Sequence, residues 1–322
     1  MTYNIKKTNL YPLVYGIGDQ VLFTNLIEDL SKKDKNLISI ASPSFTHTLF
    51  NDHPLVHSVI DIAKIDLIHS HPDYPTFDSK LLDTYFDKVI FYDPYLSNYI
   101  KIKSHIIDIW RNLLKLPPTT NTLTDVKCND IHIGSYNNII QHIQTTEYII
   151  VQLKGGTGYS GASDEGSSSS YLKSLKDYHD TYQLLTTLSN NFNNHHFVVV
   201  RTKENIYDER LFDIPNISFL DDVPLLELQY VINNCLTFIS IDSCIQHFAA
   251  NKNQCKRGIV IWGNDPGGPP HTANHEHNVN LITEKINLVH ISDETIIKEL
   301  EDILNYINRC KWDEKTPALK SI

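Results

Sequence analysis

With 322 residues, 41% of them hydrophobic and 20% charged, the chain has the balance of a soluble globular protein and room for two domains of ordinary size. A formal net charge of −10 excludes a protein that grips nucleic acid through its whole surface, because neutralising phosphates takes clustered Lys and Arg. No apolar run of about 18 residues occurs, so no spanning helix is expected, and peripheral membrane contact stays open. The polar start Met1–Lys7 has no apolar signal-peptide core. Cys128, Cys235, Cys244, Cys255 and Cys310 are odd in number and lack C-x-x-C spacing. They read as reduced thiols of a cytoplasmic protein without a cysteine zinc site.

Along the chain, Leu10–Tyr15 is a short apolar run that ends in Gly16-Ile17-Gly18-Asp19. An amphipathic stretch follows, with Val21, Leu22, Leu26, Ile27 and Leu30 at helical spacing. Leu37–Ala41, Val56–Ile60 and Lys88–Tyr92 read as strands. His105–Leu116 reads as a helix stopped by Pro117-Pro118. A second series starts at Tyr148–Leu153 and runs through the Gly/Ser-rich loop Gly155–Ser170, a helix over Tyr171–Asn190 and strands at Phe197–Arg201 and Ile217–Leu220. A helix at Leu225–Asn233, strands at Thr237–Ile241 and Gly258–Trp262, and a final helix at Asp293–Ile307 complete it. Alternating strands and helices predict parallel sheets with crossover helices. The boundary between the two α/β halves is placed at 145/146, after the Pro/Thr-rich stretch Pro117–Thr124, with the last helix free to pack back on the first half.

Chemistry concentrates where strands end. Ser240-Ile241-Asp242-Ser243-Cys244-Ile245-Gln246-His247 reads as a buried strand, a polar turn and a helix start, with Asp242 or Ser243 at the N-cap. Unsatisfied N–H groups and the positive end of the helix dipole suit such a turn to an anion. His247 falls one turn into that helix. Gly16-Ile17-Gly18-Asp19 is another strand-to-helix turn. It lacks the third glycine of a dinucleotide fingerprint, and Asp19 is either a cap or a carboxylate placed as general base. Lys154-Gly155-Gly156-Thr157-Gly158 resembles a phosphate loop without the Walker spacing, and the long loop behind it suits a lid. Arg201 and Lys203 stand at a strand's C-terminal end, either as anion ligands or as a surface ion pair. Ile261–His271, rich in Gly and Pro, is a shaped loop on the same sheet edge as Asp242. Sixteen histidines include the pairs and clusters His195-His196 and His271, His275, His277. The second cluster reads as a polar loop, not a metal site.

Gly16-Ile17-Gly18-Asp19, the Ser240–Ala249 segment and Trp262-Gly263-Asn264-Asp265-Pro266, in this order across nearly the whole chain, resemble glycosyltransferase family 9, the heptosyltransferase type. That resemblance implies an α/β chain of the GT-B fold: two Rossmann-like domains facing across a cleft, acceptor on the N-terminal one and donor on the C-terminal one. It implies inverting, metal-independent transfer of a heptose or hexose-like sugar from an ADP-, UDP- or GDP-linked donor to a glycan or other hydroxyl, with no cofactor. By carry-over, Asp19 matches the proposed base, with Gly16, Gly18 and Gln20 beside the acceptor. Lys154, Gly155, Gly156, Arg201, Asp242, Ser243, Cys244, His247, Gly263 and Asn264 fall to the donor. The chain departs from the family pattern at Cys244, where glycine is usual, and at Lys154-Gly155-Gly156, where a Lys-x-Trp-Pro element is usual. Rival readings are a nucleotide-sugar epimerase, a non-catalytic sugar-nucleotide binder and a glycosyltransferase acting on DNA bases, the last disfavoured by the acidic balance.

Overall fold

The computed structural model describes residues 7–14, 16–64, 67–71, 74–77, 85–91, 104–128, 147–155, 177–202, 205–263, 273–283 and 289–315, with backbone alone at 64, 67–71, 74–77 and 311–315. The chain divides into two compact units, Met1–Asn129 and Asp130–Ile322. The boundary expected at 145/146 lies outside the described residues.

The first unit holds strands β1 (Asn9–Pro12), β2 (Ile38–Ser42), β3 (Val56–Asp61) and β6 (Lys88–Val89) in a parallel sheet of order β3-β2-β1-β6. An antiparallel ribbon, β4 (Leu67–His71) with β5 (Tyr74–Phe77), is separate from it. After β1 the chain turns into α1 (Ile17–Phe23), a 3₁₀ turn (Thr24–Leu26) and α2 (Ile27–Asp34), whose buried residues Val21, Leu22, Leu26, Ile27 and Leu30 are the stripe expected from helical spacing. A short α3 (Thr48–Asn51) joins β2 to β3, and α4 (Ile106–Leu113) sets Trp110 edge-to-face on Phe23 at 5.6 Å. The prolines do not stop α4. It closes two residues earlier in a Schellman motif: Lys115 is left-handed (φ 53°), Leu116 N donates to Arg111 O (2.8 Å) and Lys115 N to Asn112 O (3.0 Å). Lys35 (φ 52°) closes α2 in the same way.

The segment after α4 is tied back to the first helices. Asn25 Nδ2 donates to the carbonyls of Asn121 (3.0 Å) and Leu123 (2.7 Å), and Thr24 Oγ1 accepts from Asp125 N (2.8 Å). Arg111 bridges Asp29 and the Pro117 carbonyl, both at 2.6 Å.

The second unit is a six-stranded parallel sheet of order β12-β11-β10-β7-β8-β9. Its strands are β7 (Tyr148–Gln152), β8 (His196–Arg201), β9 (Ile217–Asp221), β10 (Thr237–Ile241), β11 (Ile259–Trp262) and β12 (Val279–Ile282). The connecting helices are α5 (Thr181–Asn191), α6 (Leu225–Asn234), α7 (Cys244–Ala249) and α8 (Asp293–Lys315). Central strands buried on both faces read as apolar runs, as Tyr148-Ile149-Ile150-Val151 and Phe197-Val198-Val199-Val200 do. Ile149 and Val151 face a core shared with Leu184 and Leu188 of α5 and with Ile296, Leu300 and Ile303 of α8. On the other face Tyr148 donates its hydroxyl to Val231 O in α6 (2.6 Å). The helix expected from Tyr171 is described only from Thr181, where the Asp180 side chain caps Gln183 N (2.9 Å). Just before it, Tyr178 is in a parallel bridge with Val289, so 177–180 is extended or turn. β12 has no counterpart in the sequence reading.

Gly258 opens β11 against the ring of the fully buried Phe238, where a Cβ would come within 2.4 Å of ring carbons. Gly258→Ala is therefore expected to cost about 1–3 kcal/mol through overpacking, read as a lower urea midpoint. Adding Phe238→Leu should return part of that loss, and additive losses would show that the clash is not the cause.

Candidate functional site

In an open parallel sheet, ligands collect outside the C-terminal strand ends where the strand order reverses. In the second unit that point lies between β7 and β10. Ser243 follows β10 in an extended conformation (φ −152°, ψ 175°) and caps α7, its Oγ accepting from Ile245 N at 3.4 Å. The hydroxyl proton goes to Gln152 Oε1, on the last residue of β7, at 2.5 Å. This bond spans the reversal point. Asp242 is not the cap. Its Oδ1 accepts from Gln246 Nε2 at 3.0 Å, and its N–H donates to Ile261 O on β11 at 3.1 Å.

Lys154 and Gly155 follow β7. The Lys154 ammonium donates to Ile206 O and lies 5.1 Å from the centre of the Tyr207 ring. Gly155 N–H donates to a carboxylate oxygen of Asp177 at 2.8 Å, so this loop amide holds an anion from within the chain. Burial pushes the Asp177 carboxyl above its usual range, opposed by that N–H and by Lys154. Arg201 ends β8 as the rung partner of Asp221 on β9. Its guanidinium makes a two-pronged pair with that carboxylate (2.6 and 3.1 Å) and lies over Phe219 and Phe212 at 4.7 and 5.2 Å. The structure thus commits Arg201 to Asp221. Lys203 lies outside the described residues.

His247 is 4% exposed, and its Nδ1 is 3.1 Å from Nε2 of the fully buried His275. The structure does not bring His247 to the surface of the turn. Nor is His275 part of a solvated polar loop: its ring meets His247 edge-on at 5.3 Å and lies tilted against His277 at 5.7 Å, whose Nε2 is 3.2 Å from Cys255 Sγ. His271, Gly156 and Asn264 lie outside the described residues. Among the described residues no group of three or more His, Cys, Asp or Glu side chains could hold a metal ion. Gly263 follows β11, and a Cβ there would meet Val289 at 3.5 Å. Cys244, first residue of α7, keeps some exposure as a residue, yet burial pushes its thiol up to about 12.

In the first unit the strand order reverses between β1 and β6, and the turn after β1 carries the glycine motif. Gly16 is the N-cap of α1, and Asp19 lies half-buried in its first turn. Its Oδ2 is 3.9 Å from where a Gly16 Cβ would stand, so the carboxylate bends back toward the helix start. Gly18 is half-buried in the same turn. Gln20, expected beside the acceptor, is 0% exposed and packs inside the unit. Gln152 was missed by the sequence reading; a lone amide closing an apolar strand at the reversal point is the signal that marks it.

No protein-family profile and no curated protein matches the chain. Solved structures do. A glycosyl transferase family 9 structure from Veillonella parvula aligns with TM-score 0.65 at 14% identity, over 94% of this chain and 98% of that one. E. coli ADP-heptose LPS heptosyltransferase II aligns with TM-score 0.61 at 11% identity, over 93% and 99%. E. coli heptosyltransferase WaaC with ADP aligns with TM-score 0.57 at 11% identity, over 92% and 99%. The chain thus has the α/β fold of these GT-B glycosyltransferases, two units each built on a parallel sheet.

Thiol reactivity tests the packing at the turn. Burial pushes the thiols of Cys235 and Cys244 up to about 12, which leaves them protonated and unreactive at pH 8. Iodoacetamide followed by peptide mass spectrometry is expected to label exposed Cys310 first, Cys255 more slowly, and Cys235 and Cys244 only after unfolding. Early labelling of Cys244 would mean that the start of α7 is open.

Proposed function

We propose that this protein is a glycosyltransferase that moves a heptose or hexose-like sugar from a nucleoside diphosphate donor to a hydroxyl acceptor, with inversion and without a metal. The observation that carries the reading is the hydroxyl–amide bond between Ser243 and Gln152 at the strand reversal of the second sheet, in a fold shared along nearly its whole length with family 9 structures. Two of those neighbours are named for ADP-heptose or ADP, which favours ADP as the donor nucleotide over UDP or GDP.

In this mechanism Asp19 takes the proton of the acceptor hydroxyl, and the resulting oxygen attacks the anomeric carbon. The bond from that carbon to the diphosphate oxygen breaks on the opposite face, and the electron pair leaves on the diphosphate. Asp19 stands in the first turn of α1, at the strand-to-helix turn where a base for the acceptor hydroxyl is needed. Lys154 supplies positive charge to the leaving group by trading the Ile206 carbonyl for a phosphate oxygen, and Gly155 offers its N–H by releasing Asp177. Arg201 is neutralised by Asp221 and stacked on two aromatic rings, so it shapes the wall of the site. His247 supports α7 from below through His275.

A thermal-shift panel of ADP, UDP and GDP with their sugars is expected to show stabilisation by one nucleotide series, ADP first. No stabilisation by any of them removes the reading. Asp19→Asn is expected to lower kcat by about 10²–10⁴-fold with donor affinity unchanged. Near-normal transfer by that variant overturns the base assignment. Sugar-nucleotide turnover with no acceptor present would instead make the protein an epimerase.

A further inference from the structure

Gln152 is the one polar residue of β7, a strand otherwise made of Tyr148, Ile149, Ile150 and Val151, and it is 6% exposed. Such an amide costs free energy unless its hydrogen-bonding groups are met. Its Oε1 is met by Ser243 Oγ at 2.5 Å. Because Ser243 Oγ already accepts from Ile245 N–H, the hydroxyl proton is the one given to Gln152, which fixes which end of the amide faces α7. The two Nε2 hydrogens have no acceptor among the described residues, and they stand at the C-terminal end of the central strand, where the order reverses. The rung partner of Gln152 is Ser240 on β10, and rung partners of parallel strands point to the same face. Ser240 is 0% exposed, and its Oγ also has no hydrogen-bond partner among the described residues. Two polar side chains thus lie next to each other at the outlet of an apolar sheet, each with unspent hydrogen-bonding capacity.

We propose that Gln152 is a ligand-binding residue of the site, its Nε2 donating to an oxygen of the donor's diphosphate while its Oε1 is anchored to Ser243. This rests on the nucleoside diphosphate reading above. The chemistry fits: Nε2 is a donor only, and a diphosphate oxygen is an acceptor only. The amide also adds no charge beside the Asp242 carboxylate. Ser243 has a positioning role, holding the amide in the orientation that presents its N–H groups.

The test compares wild type with Gln152→Met, which keeps the volume of the side chain and removes both amide functions, and Gln152→Glu, which keeps an oxygen for Ser243 and removes the donors. Titration uses ADP, UDP and GDP and the matching nucleosides. Gln152→Met is expected to weaken the best-bound diphosphate about tenfold, the scale of one lost hydrogen bond to a charged group, and to leave the nucleoside within about twofold. Gln152→Glu is expected to weaken the diphosphate further, because it sets a carboxylate against it. Equal losses for diphosphate and nucleoside would reduce Gln152 to a structural residue, and no loss would remove it from the site; either result overturns the proposal and spares the donor reading. Failure of wild type to bind any diphosphate overturns both. If Gln152→Met does not fold, Gln152→Asn, which withdraws the amide by one methylene, is held to the same expectations.

Discussion

Parallel pairing of β7 with both β8 and β10 is the constraint on which the second unit turns. A parallel neighbour cannot be reached by a tight hairpin, so every connection must cross over and cover a face of the sheet. The faces are therefore buried, the strands become unbroken apolar runs, and polar side chains are pushed to the strand ends. All six C-terminal ends open on one edge, and with β7 placed centrally the chain departs from it in two directions. The gap between β7 and β10 follows from that topology before any ligand is considered. Gln152 and Ser243 close it with a single hydrogen bond, and the family resemblance becomes informative because its motif residues fall there.

Along this edge the charges are matched from within. Arg201 lies against Asp221, the Lys154 ammonium on a backbone carbonyl, Asp177 on the Gly155 amide, and Asp242 on the Gln246 amide. Each pairing holds a side chain in place. A ligand entering here would exchange one set of partners for another and meet groups already directed, which is the ordinary physical meaning of preorganisation. Arg201 is the member least suited to such an exchange, because its two-pronged bond and its stacking on Phe212 and Phe219 would be lost together.

Much of this was legible in the residues. Thr237–Ile241 stands as a strand with the expected bounds, and Val21, Leu22, Leu26, Ile27 and Leu30 bury as their spacing implies. The fold class followed from the alternation. What stayed hidden depended on distance along the chain. His247 and His275 are 28 residues apart, and Arg201 and Asp221 are rung partners only in one register of β8 and β9. Neither contact leaves a local pattern, so His247 read as a donor ligand, His275 as part of a polar loop, and Arg201 as either an anion ligand or half of a surface ion pair. Gln152 was overlooked for the opposite reason: within an apolar run it looked like the end of a strand. β12 escaped because Val-Asn-Leu-Ile is half-exposed and short, and because its partner β11 supplies the signal that it lacks. Pro117-Pro118 was read as a helix stop, yet the left-handed Lys115 had already ended the helix, since the carbonyls of Arg111 and Asn112 found donors there.

The ties between the first helices and the segment after α4 also bear on where this chain can be divided. Asn25 holds the carbonyls of Asn121 and Leu123, Thr24 receives the amide of Asp125, and Val126 is 2% exposed. A fragment ending at the prolines would leave the Asn25 amide and the Thr24 hydroxyl without their clasp and uncover the apolar surface beneath Val126. The smallest first unit that keeps its own hydrogen bonds must therefore carry the chain through Lys127, whose ammonium pairs with Asp125 at 2.5 Å. The chain from the Pro/Thr-rich stretch onward is thus, over 119–127, a structural strap of the first unit.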